Sequence, residues 1–174
     1  MSKNQGFTLI ELIIAIVILG VIAVIAAPRF INISKDAKAN TMLSVAAGME
    51  SALTLLHSQA LIEGQDIGKG EITINGVKTP LLNGYPSVNG KDSFEEINAQ
   101  VQAWFNIDSV GKNVIEIDSS AAPFFIDKAS SRNQIYIFFS DAPTTGDRTE
   151  YGCQVRYQNP ESEGPSVRVL TDDC

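Results

Sequence analysis

The chain has 174 residues, enough for one domain of ordinary size with an additional segment. It carries 13 lysines and arginines against 20 aspartates and glutamates, and a net charge of −7 argues against nucleic acid as a partner. Hydrophobic residues make up 44% and charged residues 19%, which excludes disorder of the whole chain. One histidine and two cysteines argue against a usual zinc site and against Cys–His catalysis.

The first predicted element is an apolar run long enough to cross a membrane. Residues 12–27 contain no charge, and the run extends back to Phe7 with Glu11 as its single acid. About 20 apolar residues, at 1.5 Å each in a helix, cross the hydrocarbon core of a bilayer. No cleavage site of a secretory signal ends the run, which continues through Pro28 into a helical pattern. The alternative is a plain signal anchor that Lys3 and the amino terminus orient.

Glu11 does not fit a plain anchor. A carboxylate within a membrane span costs about 3 kcal/mol on insertion scales, so an acid there indicates a function. A functional acid needs a cationic partner, and the span encodes none. The alternative is that Glu11 lies near the membrane edge and reaches back to the headgroups.

The residues around Glu11 resemble the processing site of type IV prepilins and pseudopilins. After a short polar leader, residues 6–12 read GFTLIEL, with a glycine, an aromatic residue and a glutamate four positions later. The resemblance implies that a prepilin peptidase cuts between Gly6 and Phe7 and methylates the new amine of Phe7. It also implies that Glu11 pairs with the Phe7 amine, largely of a neighbouring subunit, during filament assembly. A misregistered subunit would leave both charges buried and unpaired, at a high cost in free energy.

The apolar run is predicted to begin one long helix, from about Phe7 to Ile62, which Gly64 ends. Between Met42 and Ala60 the apolar positions step by three or four, which predicts a face packed against a sheet. The opposite face carries small polar residues. That face is either solvated or packed closely against the helices of neighbouring subunits.

Gly20 and Pro28 are predicted weak points of this helix. Proline removes one backbone hydrogen bond, and glycine costs about 1 kcal/mol relative to alanine in a helix interior. Similar pilins are thought to lose helix between these positions when they are packed in the fibre.

Beyond the helix, turn and periodicity signals predict short elements of both kinds. Asn75-Gly76 predicts a hairpin with a type I′ turn between residues 71–74 and 77–78. Residues 80–91 are predicted as a loop, after which Ser93 and Glu96 predict the capping box of a short helix. Four further segments are predicted as strands: 113–117, 134–139, 151–157 and 166–170.

Cys153 and Cys174 lie at the ends of predicted strands, without the spacing of a metal knuckle or a CxxC motif. A disulfide between them would tie down the C-terminus and stabilise the fold by about 3 kcal/mol in the chain-entropy model. The alternative is a pair of buried thiols in a cytoplasmic protein. The disulfide is favoured because the N-terminus independently indicates export.

Together the elements predict an α+β fold, in which a long N-terminal helix packs on an antiparallel sheet of about four strands. This arrangement, with its C-terminal disulfide, is similar to the pilin fold. The resemblance divides the chain into a leader (1–6), a transmembrane and assembly half of the helix (7–30), an amphipathic half (31–63) and a globular head (64–174). Three stretches resemble the mannose-sensitive haemagglutinin (MSHA) type of pilin: residues 26–33, 83–86, and 151–169 with the terminal cysteine.

The sequence offers little evidence of catalysis or of metal binding. His57 is expected to be a packed or half-exposed side chain, because no serine or cysteine lies at a suggestive spacing. Asp172 and Asp173 are far from the six to eight oxygens that calcium takes. No catalytic motif is present, so we expect no enzyme, no cofactor and no bound metal.

The leading hypothesis is a structural subunit, an MSHA-like major pilin that serves surface adhesion. The resemblance implies an inner-membrane precursor with a cytoplasmic leader, and then a subunit of an extracellular pilus. Its partners would be identical subunits in a helical filament, the prepilin peptidase and the inner-membrane assembly machinery. The alternatives are a type II secretion pseudopilin, a minor pilin, and a membrane-anchored extracytoplasmic enzyme or binding domain. A major pseudopilin is expected to use calcium where this chain has two cysteines.

Overall fold

A computed structural model describes residues 7–146 and 149–174, with only the backbone for residues 27–32. The chain forms two compact units, Met1–Lys38 and Ala39–Cys174. The predicted leader, including Gly6, lies outside the described residues.

Helix α1 runs from Leu9 to Ile62, close to the predicted bounds. It ends as its sequence predicts, with Gly64 in the left-handed conformation at φ 67°. The amide of Gly64 donates to the carbonyl of Leu61, and the amide of Gln65 donates to that of Ala60. These two bonds form a Schellman motif, which satisfies carbonyl groups that the last turn of a helix leaves unpaired.

The predicted apolar face of α1 is confirmed within the second unit. Its side chains are at most 8% exposed: Met42, Ala46, Met49, Leu53, Leu56 and Ala60. Several of them share one core with buried sheet residues, among them Ile126, Ile137 and Val155. The core therefore lies between the second half of α1 and a sheet.

A small three-stranded sheet follows the helix. Strand β1 (Lys69–Ile74) pairs with β2 (Val77–Leu82), and β2 pairs with β3 (Tyr85–Pro86), all antiparallel. The first turn, Asn75-Gly76, has positive φ at both residues, which confirms the predicted type I′ hairpin. The loop predicted for residues 80–91 is wrong at its start, because a second Asn-Gly turn of the same kind reverses the chain after Leu82.

The short helix α2 spans Phe94–Trp104 and begins with the predicted capping box. The hydroxyl of Ser93 accepts a hydrogen bond from the Glu96 amide at 3.1 Å, and the Glu96 carboxylate accepts one from the Ser93 amide at 2.7 Å. Ile97 and Val101 are buried, and through them α2 packs against the core that it shares with α1.

The main sheet has five strands in chain order, not about four. They are β4 (Ser109–Gly111), β5 (Phe124–Ala129), β6 (Gln134–Phe139), β7 (Gln154–Gln158) and β8 (Ser166–Leu170). Strand β4 pairs with β5 in parallel and the other pairs are antiparallel. A 3₁₀ turn (Ser130–Arg132) joins β5 to β6.

Two of the sequence predictions for this sheet are wrong. The segment predicted as a strand at 113–117 contains a short helix, α3 (Lys112–Ile115), because Ile115 is buried beneath Phe125 and Phe138 as part of a second core. Strand β5 was not predicted at all. Residues Phe125, Ile126 and Asp127 are buried in succession, so the strand lacks the alternation that marks a half-buried strand.

The predicted disulfide joins Cys153, just before β7, to Cys174, with an S–S distance of 2.06 Å. Asp173 strengthens the same closure, because its carboxylate accepts a hydrogen bond from the Gly152 amide at 2.8 Å and its amide donates to the Gly152 carbonyl at 3.1 Å. The β7–β8 hairpin is therefore fastened covalently at its open end.

Candidate functional site

Glu11 is held at the beginning of α1 by Thr8. The amide and the hydroxyl of Thr8 both donate to Oε2 of Glu11, at 2.9 and 2.7 Å. The Glu11 amide in turn lies 3.4 Å from the Thr8 hydroxyl oxygen, which completes a reciprocal capping box. Both bonds to the carboxylate use the same oxygen, so Oε1 keeps its capacity to accept from a further donor.

Thr8 is not among the site residues predicted from the sequence. The T-x-x-E pattern of Thr8 and Glu11, directly before an apolar run, is a helix-start signal that could have found it. Phe7 precedes it and is 86% exposed. In the uncut chain the nitrogen of Phe7 is a neutral amide, so a cation arises there only if the bond to Gly6 is cleaved.

The first half of α1 exposes apolar side chains between Leu9 and Ile25. Leu9–Ala26 is long and apolar enough to cross a membrane, and none of that window is buried within the chain. The exposed side chains include Leu12 at 60%, Val17 at 58% and Val24 at 76%. So much apolar surface requires a bilayer or protein partners, because its exposure to water is unfavourable.

Gly20 and Pro28 both lie within a continuous α1. Apart from the adjacent residues and the backbone of its own helical turns, no described atom lies within 4 Å of the position that a Cβ on Gly20 would occupy. Packing within the chain therefore does not require a glycine there. Loss of helix between the two positions stays a prediction.

The exposed face of α1 from residue 41 to residue 62, called here the outer face, is almost free of charge. Of its exposed residues only Glu50 is charged. Four large apolar residues lie on it: Leu43 is 49% exposed, Leu55 73%, Leu61 52% and Ile62 86%. Such a face is unusual in a chain of which 19% is charged, and it is typical of a surface that contacts another protein.

The hydroxyl groups on the outer face are already satisfied within the helix. Those of Ser44, Ser51, Thr54 and Ser58 each donate to the carbonyl four residues earlier, at 2.8 to 3.0 Å. A partner that displaces water from this face would therefore leave these donors bonded. The penalty for burying polar groups is reduced accordingly.

The remaining candidates take part in packing. The His57 ring stacks on Tyr85, with ring centres 4.2 Å apart, and its Nδ1 lies 3.3 Å from the Gly84 carbonyl oxygen, as expected for a packed side chain. Within the described residues, no group of three or more His, Cys, Asp or Glu side chains could hold a metal ion.

The fold and the N-terminal geometry define a class: an α+β protein with a long N-terminal helix whose segment Leu9–Ala26 is apolar, unburied and long enough to cross a membrane. Residues 1–27 match the family model described as "Prokaryotic N-terminal methylation motif". The chain is 39% identical over 67 residues to a "Fimbrial protein" of Pseudomonas aeruginosa, over 38% of this chain and 41% of that protein.

Two further relatives are also named as pilus or fimbrial proteins. The "Type IV narrow pilus major component PilA5" of Thermus thermophilus is 43% identical over 58 residues, covering 33% of this chain and 50% of that protein. The "Type IV major fimbrial protein FimA" of Dichelobacter nodosus is 31% identical over 83 residues, 48% of this chain and 49% of that protein. No solved structure matched the chain.

The methylation motif and the fimbrial relatives support the type IV pilin family for this chain. The chain spans about half or less of the length of the curated relatives it matches.

Proposed function

We propose that this protein is a structural subunit of a type IV pilus, which polymerises through its N-terminal helix. One observation carries the proposal: Glu11 is the single acid of the exposed apolar segment Leu9–Ala26, and among the described residues its carboxylate is bonded only by Thr8. In an isolated membrane anchor that acid would only cap the helix, at a cost to membrane insertion, whereas a polymer can also use it for recognition between subunits.

The proposed path begins with a precursor in the inner membrane. Leu9–Ala26 spans the bilayer, the leader with Lys3 stays in the cytoplasm and the head lies outside. A prepilin peptidase then cuts between Gly6 and Phe7 and methylates the new amine of Phe7. Cleavage thereby creates, at Phe7, the cation that the span itself does not encode.

During assembly the Phe7 amine of one subunit pairs with Glu11 of another. Because Thr8 occupies only Oε2 of Glu11, the amine can be received at Oε1 without breaking the capping box. A subunit docked one turn out of register would bury both charges unpaired, so the pair selects the correct register.

The outer face of α1 is the proposed docking surface for the apolar segment of a neighbouring subunit. Its satisfied hydroxyls and small side chains permit close approach of two helices. Leu55 and Ile62 add apolar contact area.

At the finer level we propose an MSHA-like major pilin that serves surface adhesion and has no enzymatic activity. The disulfide at Cys153–Cys174 supports a pilus subunit over a secretion pseudopilin, which is expected to stabilise this region with calcium. Two alternatives to a major pilin remain for experiment to distinguish. One is a minor pilin, and the other is an anchored enzyme or binding domain that never polymerises.

The test is electron microscopy of sheared surface material from the source cells and from cells that lack the gene, with mass spectrometry of its main protein. We expect fibres whose main protein is this chain and which disappear with the gene. Fibres that persist without the gene would contradict a major pilin, and a chain found only in the membrane fraction would indicate an anchored protein.

A further inference from the structure

A polar cleft lies where three parts of the head converge, and none of its lining residues belongs to α1. Its walls are Lys69 at the start of β1 with Ser87 after β3, the 3₁₀ turn that contains Arg132, and the turn after β7 that contains Glu161. The cleft has a volume of about 440 Å³. Sites for small ligands fall in the range of roughly 300–1,000 Å³.

Two asparagines fix the shape of the cleft. Asn133 accepts a hydrogen bond from the Val88 amide at 2.6 Å and donates to the Asn159 carbonyl at 2.5 Å. Asn159 returns a bond from its amide to the Asn133 carbonyl at 3.0 Å, and its side chain donates to the Leu82 carbonyl at 2.9 Å. The three parts are thus joined before any ligand arrives, which lowers the ordering cost of binding.

The cleft offers two cations that the described part of the chain does not neutralise. Lys69 and Arg132 are exposed, and the side chain of neither makes an ion pair or a hydrogen bond to another described residue. Lys78 and Lys112, by contrast, pair with glutamates at 2.8 and 3.3 Å. In a chain with a net charge of −7, two unneutralised cations on one cleft favour an anionic ligand.

The other polar residues of the cleft indicate which further groups, besides a negative charge, the ligand has. The hydroxyls of Ser130 and Ser131 line the cleft beside Arg132, and each can both donate and accept hydrogen bonds. Asn159 also lines it, and its Oδ1 is buried without a donor among the described residues. Glu161 disfavours a compact, multiply charged anion, because its own carboxylate lies on the same cleft.

We propose that this cleft binds an acidic saccharide of the uronic acid type, a binding function beyond filament assembly. The sugar carboxylate is received by Arg132, whose planar guanidinium matches its two oxygens, with Lys69 as the second cation. The ring hydroxyls exchange hydrogen bonds with the serines, Ser87 included. A saccharide with one carboxylate and several hydroxyls on each sugar unit fits this set better than a small inorganic anion.

The test is a titration of the full-length chain in detergent micelles with tri-galacturonate, followed by microscale thermophoresis. We expect saturable binding that weakens as salt is added. Arg132→Gln and Lys69→Gln should each weaken binding about tenfold, the loss of one charge-assisted hydrogen bond. Glu161→Gln should strengthen binding. The matched control is Arg168→Gln, which removes an exposed cation on β8 outside the cleft and should leave the affinity unchanged.

Four outcomes would overturn the proposal. They are an absence of saturable binding, an equal loss of affinity in Arg168→Gln, equal affinity for the neutral maltotriose, and full displacement by inorganic sulfate at the same concentration. Thermal unfolding of each variant, followed by circular dichroism, establishes that a loss of binding is not a loss of fold. Because the measurement uses unassembled chain, a negative result leaves the proposed pilus function as it stands.

Discussion

At the scale of single residues, the pair Thr8 and Glu11 begins helix α1, and we propose that the same pair acts in assembly. The Glu11 carboxylate caps the helix through Thr8 and keeps one oxygen for a further donor. The same acid thus stabilises the start of α1 and, in the proposed filament, is expected to bind the Phe7 amine of another subunit. Substitution of Thr8 alone and of Glu11 alone distinguishes helix capping from binding of the amine.

Glu11→Ala should abolish incorporation into fibres while the head stays folded and the precursor stays inserted. Removal of the acid makes insertion easier by about 3 kcal/mol, but it leaves the Phe7 amine unpaired in an apolar filament core. The measurement compares membrane-bound subunit with sheared fibre for wild type and variant. Glu163→Ala, in an exposed turn of the head, is the control. Normal fibre from the Glu11 variant would mean that the acid is merely tolerated near the membrane edge.

Thr8→Val should reduce fibre yield without abolishing it, because it removes the 2.7 Å hydroxyl bond to Glu11 and keeps the bond from the amide. Loss of a helix cap costs about 1 kcal/mol. Thr8→Ser keeps the hydroxyl and should assemble almost normally. Fibre yields are measured by quantitative immunoblot of sheared material. Equal yields from the two variants would show that the hydroxyl has no role in assembly.

At the scale of elements, the outer face of α1 and the β7–β8 hairpin have different tasks. The outer face is exposed and nearly uncharged, whereas the hairpin is closed by the Cys153–Cys174 disulfide and by Asp173. The outer face is therefore expected to act in contacts between subunits, and the hairpin in the stability of the head.

Ser51→Lys should block assembly and leave the stability of the head unchanged. The residue is exposed in the isolated chain, so a lysine there is solvated until a neighbouring helix covers it, and burial of that charge is then costly. The matched control is Ser162→Lys, which adds the same charge in the exposed turn before β8. Fibre yield and the thermal unfolding of each variant are measured together. A Ser51 variant that assembles normally would remove the outer face from the filament interface.

Cys174→Ser should lower the free energy of unfolding of the head by about 3 kcal/mol, since an open hairpin gains conformational freedom when the chain unfolds. Denaturant unfolding of the full chain in detergent, with and without reductant, measures the change. Once reductant is added, the wild-type head should have the same free energy of unfolding as the variant. Alkylation of native surface protein without reductant should leave both cysteines unmodified, and labelled thiols there would contradict an exported disulfide.

At the scale of the whole molecule, the two sheets of the head act as one body through long-range polar contacts. Tyr157 in β7 is buried and its hydroxyl donates to the Pro86 carbonyl in β3 at 2.8 Å. Burial raises the pKa of Tyr157 well above its ordinary value, so the hydroxyl stays protonated and remains a donor. Because the two sheets are already joined in the single chain, the proposed association of subunits would require little further ordering of the head.

Maturation should give a chain that begins at N-methylated Phe7. Loss of residues 1–6 removes Lys3, so 12 cations remain against 20 acids and the net side-chain charge changes from −7 to −8. Intact-mass spectrometry of protein from the cell surface measures both changes, with protein from a peptidase-deficient strain as the control. Surface protein that retains Met1 would contradict the pilin assignment.

Features that depend on neighbours in the chain were predictable from the sequence. The long helix, its end at Gly64, the capping box of α2 and the Asn75-Gly76 turn all depend on contacts within a few residues. The motif around Gly6, Phe7 and Glu11 is equally local, as is the apolar run that follows it. Such features have nearly the same free energy in any fold, so the sequence alone indicates them.

Only the tertiary structure decided the features that depend on distant residues. Strand β5 forms because β4 and β6 supply its hydrogen bonds, and residues 112–115 become helical because Ile115 is buried against the sheet. The cleft of Lys69 and Arg132 exists because two asparagines join segments far apart in the chain. The free energy of these contacts arises from pairs that only the fold brings together, so no local pattern could predict them.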